Sequence, residues 1–439
     1  MKIIHVLNHF LPHQTAGTEV YTWALSKQLQ QEGVAIKVLI PHYGKTDSYD
    51  YVYDGLSVHQ YAEPSVVDRS LIMGFREPDG LKNFVDYLNK EQPDLIHFHE
   101  LAGSNGITLK HVQAAKSSGA RVIMTFHLAG YSCKTGTLVY RAESLCTGEI
   151  DLRKCSTCYL NEKGYTSLAS YLTDTSAILH KFSIDTSMWG NKVGTALGTV
   201  PILAKLNTDL KTLVSSCDRV VAITDWYQRV LKINGIDPNK ICFIPQALPL
   251  DNFSDSIGNK PVHSQLRLIF LGRINKFKGL HLILEALREI DSTLVSLSIY
   301  GNSEDEAFEN EQRIKTANQS NVFWGGDLQQ KDVIPTMRKH DILCLCSTFS
   351  EMSPLVIQEA FAARIPIIAS NVYGNAEQIT HGENGLLFKF NDVEDLRRQI
   401  LKCINHPDLL NEMANKITPP RSFKDLASDY LELYKSILN

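Results

Sequence analysis

No stretch of this chain approaches the roughly 20 consecutive apolar residues that a membrane-spanning helix requires. Positive charge is not in excess either: 44 lysines and arginines face 48 aspartates and glutamates, for a formal charge of −4. That balance excludes the global basic field by which a protein collects on nucleic acid. The first ten residues hold one lysine and only a short apolar run, which predicts a buried strand and not a secretory signal. Internal repeats and low-complexity tracts are missing. The loop after the first strand is not Gly-x-Gly-x-x-Gly, so it lacks a dinucleotide fingerprint. Together these absences predict a cytoplasmic location, with membrane contact at most peripheral at the inner face.

What is present is length and alternation. At 439 residues the chain can form two domains, each with a sizeable core. The near-continuous apolar run Lys2–Phe10 leads through a polar loop at Gln14–Gly17 to an amphipathic segment, Glu19–Gln31, and a second strand, Ala35–Pro41. Further strands are expected at Leu56–Tyr61, Asp94–His99, Arg121–His127, Arg219–Thr224 and Ile241–Pro245, with helices such as Asn105–Ser118 and Trp226–Asn234 between them. The polar segment Gln246–Gln265 reads as a linker. A second series then restarts, with strands at Leu266–Gly272, Leu294–Gly301, Asn321–Trp324, Asp341–Ser347, Pro366–Ser370 and Gly385–Phe388. Alternation with buried strands predicts an α/β chain of two facing, doubly wound, Rossmann-like domains with a cleft between them. The expected domains are 1–246, completed by the amphipathic C-terminal helix 423–438, and 247–420. Residues 166–213 are weakly periodic and fit either helices of the first domain or a lid over an acceptor.

Glu351 and Glu359 bracket the start of the expected helix Leu355–Ala363. Ser353 reads as its N-cap and Pro354 as its first residue. The amides near Leu355 and Val356 would attract phosphate, so carboxylate, anion site and carboxylate lie in a row. That order suits a ligand with hydroxyls at both ends and phosphates between, as in a nucleotide-sugar. Arg273 and Lys278 follow the first strand of the second series, at the carboxyl end where ligands bind, and two cations on one loop can clamp a diphosphate. Gly17, with Thr18 beside it, opens the first helix and could present its amide to a second phosphate. His127 closes an apolar strand at its carboxyl end. His97 and His99 share one face of their strand and read as support, while His5 and His9 carry no assignment.

Nine cysteines occur, five of them (Cys217, Cys242, Cys344, Cys346, Cys403) in apolar patterns that predict reduced core residues. Cys133, Cys146, Cys155 and Cys158 instead crowd into one insert that has too few apolar residues for a core of its own. The pair Cys155-Ser-Thr-Cys158 has chelating spacing, and all four could hold a structural Zn²⁺. Free thiols, disulfides and an iron–sulfur site are the competing readings.

These residues carry a resemblance. With Gly272-Arg273, Lys278-Gly279, Glu351 through Glu359, Asn384-Gly385-Leu-Leu-Phe388, and Ala369-Ser370 before Gly374 and Glu377, the chain resembles a family 4 glycosyltransferase of the GT-B fold, of a subset with a cysteine-bearing insert. The resemblance implies retaining, metal-independent transfer of a sugar from a nucleotide-sugar to a hydroxyl of a glycan or lipid-linked acceptor. UDP is the first donor nucleotide to expect and GDP the second. By the same resemblance Arg273 and Lys278 hold the donor diphosphate, Glu351 the sugar hydroxyls and Glu359 the ribose, with His127 beside the reacting sugar. Met352-Ser353-Pro354, Gln246-Ala247 and Ala16-Gly17 depart from the family pattern, and bear on the sugar pocket more than on the class. The rival readings are an epimerase or phosphorylase of the same fold, or a non-catalytic nucleotide-sugar-binding protein.

Overall fold

The computed structural model describes residues 1–64, 68–102, 106–249 and 263–439. Most of the expected linker, and Asn105 at the expected start of a helix, lie outside the described residues. The chain divides into two compact units, one of Met1–Arg141, Cys146–Pro249 and Phe423–Asn439, the other of Ala142–Leu145 and Leu250–Ser422.

The first unit is built on an eight-stranded sheet. In spatial order its strands are Ile241–Phe243, Arg219–Ala222, Arg121–Phe126, Leu95–Phe98, Lys2–Val6, Ala35–Tyr43, Leu56–Glu63 and Tyr49–Tyr53. All neighbours run parallel except the last pair, which is an antiparallel hairpin. The hairpin turns at Asp54-Gly55, both with positive φ. The chain leaves Lys2–Val6 toward one edge and returns to its other side at Leu95–Phe98. That reversal makes a crevice at the carboxyl ends of these two strands. One face of the sheet is closed by the C-terminal helix Phe423–Leu438, whose Leu426, Tyr430 and Tyr434 are buried among Ile3, Tyr21, Leu25 and Val38. Residues 166–213 fold mostly as helices: Ala169–Lys181, Lys192–Leu197 and Thr199–Ser216.

The second unit has six strands, all parallel, in the order Val322–Gly326, Val295–Tyr300, Leu266–Leu271, Ile342–Leu345, Ile367–Ser370, Gly385–Phe388. Numbered along the unit this is 3-2-1-4-5-6, the doubly wound order. Alternation along each strand explains why both faces are packed. Leu268 and Phe270 enter one core with Ile342, Cys344 and Ile368, while Ile269 enters the other with Leu343, Leu345 and Ile367. Cys344, Cys346 and Cys403 belong to the first of these cores, and Cys217 is buried in the first unit. They are packing residues, as their apolar surroundings in the sequence suggested.

Candidate functional site

In the second unit the chain order reverses between Leu266–Leu271 and Ile342–Leu345, and the loops that follow these two strands carry the chemistry. The first loop folds into a short turn, Lys276–Lys278, capped by Asn275, whose Oδ1 accepts from the Lys278 amide at 3.1 Å. Gly279 then adopts φ +71°, and a Cβ there would lie 1.8 Å from the Cys346 carbonyl oxygen. No side chain fits, so the backbone presses directly onto the end of the neighbouring strand. This contact brings Lys278 to Glu351. The Lys278 Nζ lies 2.6 Å from Glu351 Oε1, which also accepts from Ser347 Oγ at 2.7 Å. The two charged side chains are only 15% and 8% exposed. Lys278 also sits 5.3 Å from the centre of the Phe349 ring, which shields the pair on one side. From the other direction Gly374 approaches so closely that a Cβ would stand 2.0 Å from the Glu351 carbonyl. Glu351 is therefore gripped at both backbone and carboxylate.

Arg273 is not part of that pair. Its guanidinium reaches Glu304 at 2.8 Å, and Glu304 also accepts from Asn275. At 59% and 44% exposure this ion pair is easily exchanged for another anion. Glu359 lies in the helix Leu355–Ala362, buried, and accepts from Gln330 Nε2 at 2.8 Å; burial pushes its carboxyl above the usual range. The helix start differs from the sequence expectation. Pro354, not Ser353, is the N-cap, with φ −68° and ψ 121°, and no side chain caps the first turn. Proline's fixed φ suits the cap backbone, but its ring offers no acceptor, so the amides after it are left to water or an anion. Ser353, Leu355 and Val356 are half-buried around this uncapped turn.

In the first unit Gly17 begins the helix Gly17–Gln31, again without a side-chain cap, and Thr18 lies in its first turn. Glu19 follows, buried, with Oε1 accepting from Gln14 at 2.9 Å and no partner on Oε2 among the described residues. Desolvation raises this carboxyl to about 7. His127 packs edge-on against Tyr21 of the same helix, ring centres 4.7 Å apart. It also ends a chain of imidazoles: His5 Nδ1 meets His99 Nε2 at 2.7 Å, and His99 Nδ1 meets His127 Nε2 at 3.4 Å. Burial lowers His5 and His127 to about 3 and holds His99 well below its ordinary value, so all three are neutral. Each neutral ring has one donor and one acceptor, which allows two polarities for the chain. His5 Nε2 is buried without a partner. An orphaned acceptor costs less than an orphaned N–H, so the chain runs from His5 Nδ1–H to His99 and from His99 Nδ1–H to His127 Nε2. His127 is then left with Nδ1–H as its outward donor. His5, His97 and His99 have ring nitrogens within 4.8 Å of one another, as a metal site would. Both nitrogens of His97 are already engaged, however, with Tyr434 and Thr125 at 2.7 Å each, and the cluster reads as a hydrogen-bond network.

Cys133, Cys146, Cys155 and Cys158 line one cavity of about 30 Å³. All are free, and no three of their sulfurs come within 4.8 Å of one another, so the set is more open than a closed tetrahedral site. The Arg141 amide donates to Cys158 Sγ at 3.3 Å, a contact that favours a thiolate. Without a cation, burial pushes Cys155 up to about 12 and also raises Cys158. Four thiols are ligands of the kind Zn²⁺ takes, and its charge would reverse that shift, but their sulfurs are not gathered as closely as a closed site requires.

Of the residues expected in the site, the structure pairs Lys278 with Glu351, leaves Arg273 on Glu304 and sets Glu359 on Gln330; Ser347, Glu304 and Gln330, which hold these charged side chains, were not singled out by the sequence. Sequence reasoning left His5 without a role because the pairing of the first strand with Leu95–Phe98 sets it opposite His97.

Two Rossmann-like units in one chain, the second with a buried cation–carboxylate pair at its switch point, define the GT-B class. The chain belongs to the family 4 glycosyltransferases: the model described as Glycosyltransferase Family 4 matches residues 15–145, and that described as Glycosyl transferases group 1 matches residues 255–418. An uncharacterized 41.2 kDa protein from the cps region of Klebsiella pneumoniae is 25% identical over 267 residues, covering 58% of this chain and 68% of that protein. Two further relatives are spanned over only 61% and 56% of their lengths. Among solved structures, a sucrose-phosphate synthase from Thermosynechococcus elongatus superposes with a TM-score of 0.67 at 15% identity, covering 99% of this chain and 98% of that one. Anabaena HepE in complex with UDP and glucose gives 0.64 at 14% identity, covering 99% and 100%. At these identities the structural likeness concerns the fold.

Proposed function

We propose that this chain is a retaining glycosyltransferase that moves a sugar from a nucleotide-sugar to a hydroxyl of a glycan or lipid-linked acceptor, in the building of a surface polysaccharide or glycoconjugate. The observation that carries the reading is the Lys278–Glu351 pair at the switch point of the second unit. Lys278 is the cation for the donor diphosphate. Arg273 joins it by leaving its exposed partner Glu304, and the uncapped turn at Leu355 and Val356 adds backbone amides. Glu351, fixed by Ser347 and the Gly374 contact, takes sugar hydroxyls. Glu359 takes the ribose, held in place by its hydrogen bond from Gln330.

In this reading His127 offers Nδ1–H to an oxygen of the reacting sugar, and the amides at Gly17 and Thr18 are assigned to the second phosphate. Departure of the diphosphate and same-face attack by the acceptor hydroxyl follow, with a leaving phosphate oxygen taking the acceptor proton. No metal is needed for that step. The four cysteines would hold a structural Zn²⁺, supplying only a cross-link for an insert with little core. Metal analysis of freshly purified protein is expected to give zinc near one equivalent that falls when Cys155 and Cys158 become Ser; metal-free wild type would remove the zinc reading. Thermal denaturation with UDP-, GDP- and ADP-sugars tests the donor, since a ligand bound at 100 times its Kd stabilises by about 2.7 kcal/mol. A uridine donor is expected to shift the transition most. No shift with any of them would overturn the reading.

A further inference from the structure

One part of the first unit carries most of its large apolar side chains on the outside. The fully buried positions of helix Ala169–Lys181 are Ala169, Thr173 and Ser176, small or polar residues. Thr173 bonds to Thr157 at 3.1 Å, and Ser176 accepts from the Val200 amide at 3.1 Å. Leu172 is half-buried against Leu160 and Ala169, but most of the large apolar side chains point outward: Tyr171 is 72% and Phe182 75% exposed, and Ile178, Ile184, Met188, Trp189 and Val193 are exposed with them. A run of this kind within 26 residues is far from the scattered apolar residues of an ordinary surface. Lys181 and Lys192 are interspersed with it and are exposed; Asp174 is taken up by Arg153, and Asp185 caps the Ser187 amide.

The patch does not end at this segment. Arg69 donates to the Ser187 carbonyl and to Thr195 Oγ1, tying the short helix Arg69–Ile72 to it. Ile72, exposed on that helix, also lines a cavity of about 650 Å³, the roomiest of those described here. The cavity wall carries leucines and four cations. Of these, Arg76 is paired with Asp68 and Asp79, and Lys205 with Asp209, while Lys110 and Lys134 make no ion pair among the described residues. Leu128, the residue after His127, lines the same cavity.

We propose that residues 168–193 seat the first unit on an anionic bilayer, and that the adjoining cavity draws a lipid-linked phosphate from it, with the phosphate on Lys110 and Lys134. Trp and Tyr with flanking lysines are the side chains that settle at a headgroup boundary. No helix among the described residues is long and apolar enough to cross a membrane, so the contact is with the surface. A second copy of the chain would cover the apolar residues but would leave the cationic cavity beside them without a use. The cargo of the cavity rests on the transferase reading above; the docking does not, because it is measured without donor or turnover.

The test is co-sedimentation of the whole chain with phosphatidylcholine vesicles and with vesicles that also contain phosphatidylglycerol. Wild type is expected on the anionic vesicles, released by salt. Tyr171→Ser, Phe182→Ser and Trp189→Ser together should lower its partition about 100-fold, since each removes roughly 1 kcal/mol of inserted apolar surface. The same triple variant should keep the wild-type circular dichroism and donor-induced thermal shift, which separates lost docking from lost folding or a failed donor site. Wild type that stays in solution with both vesicles overturns the proposal. So does light scattering that finds a wild-type dimer which the triple variant breaks to a monomer. In a second arm, a polyprenyl phosphate in phosphatidylcholine vesicles should raise binding about tenfold, and Lys110→Gln with Lys134→Gln should abolish that increment. If inorganic phosphate at the same concentration competes fully, the cavity is an anion site and the lipid assignment falls.

Discussion

Removing the Lys278 amine by Lys278→Ala would leave the Glu351 carboxylate buried, with Ser347 the remaining side-chain partner recorded on it. Breaking a buried pair by deleting one partner costs about 3–5 kcal/mol, much of it the desolvation of the charge left behind. Replacing both residues with apolar ones of similar size removes that orphan, so Lys278→Met with Glu351→Leu should return to within about 1 kcal/mol of wild type. Stability and ligand binding can then be separated. Calorimetry on the two-unit chain should show the second unit's transition lowered in the single variant and nearly restored in the double one. Addition of UDP should stabilise wild type far more than either variant, because both have lost Lys278 and keep only the exposed Arg273 as a cation. Two results would refute the reasoning. If Lys278→Ala melts with wild type, the pair is not a buried, mutually dependent one. If the double variant is stabilised by UDP as strongly as wild type, the pair does not bind the diphosphate.

Three further outcomes follow from local geometry. Gly279→Ala places a Cβ against the Cys346 carbonyl in a left-handed backbone, and should destabilise the second unit by about 2 kcal/mol or more; an unchanged transition would show that the loop sits elsewhere. Burial raises Glu19 from 4.5 to about 7, so the folded chain keeps a proton that the unfolded chain loses between those values. Its contribution is therefore full below about pH 4.5 and is lost as pH rises through about 7. Glu19→Gln should be the more stable form above pH 7, by as much as about 3 kcal/mol, and a wild type that is flat from pH 4.5 to 7 relative to the variant would contradict this. For His127, nitrogen NMR of the wild-type side chain should report the Nδ1–H tautomer. His99→Phe should mix the tautomers and lower kcat more than the donor KM, whereas an unaltered tautomer would remove His99 as a positioning residue.

The fold class was legible because buried parallel strands leave long apolar runs, as in Leu266–Leu271 and Ile342–Leu345, and their restart after a polar segment is hard to mistake. The edge hairpin escaped notice although Asp54-Gly55 follows it as a turn signal, because Tyr49–Tyr53 is short, half exposed and three-fifths tyrosine. Residues 166–213 resisted reading because the helix Ala169–Lys181 buries Ala169, Thr173 and Ser176 and exposes Tyr171 and Ile178, so its apolar residues do not trace one buried face. In the candidate site, the sequence singled out Lys278 and Glu351, which the structure pairs, and Glu359, which it buries. It could not separate Lys278 from Arg273, because two cations on one loop look alike until the Gly279 contact turns one inward and leaves the other on Glu304. Ser353 as the helix cap rested on side-chain preference, and Pro354 took the position through backbone geometry instead.

The central claim is transfer, and the measurement that bears on it most directly is release of nucleoside diphosphate with and without acceptor. The purified chain would be given whichever nucleotide-sugar stabilises it, together with a lipid-linked or soluble glycan acceptor. Release is expected to depend on acceptor and to fall by orders of magnitude in Lys278→Ala. A donor that stabilises the protein against heat but is never consumed, whatever acceptor is offered, would make this chain a nucleotide-sugar binder and contradict the claim.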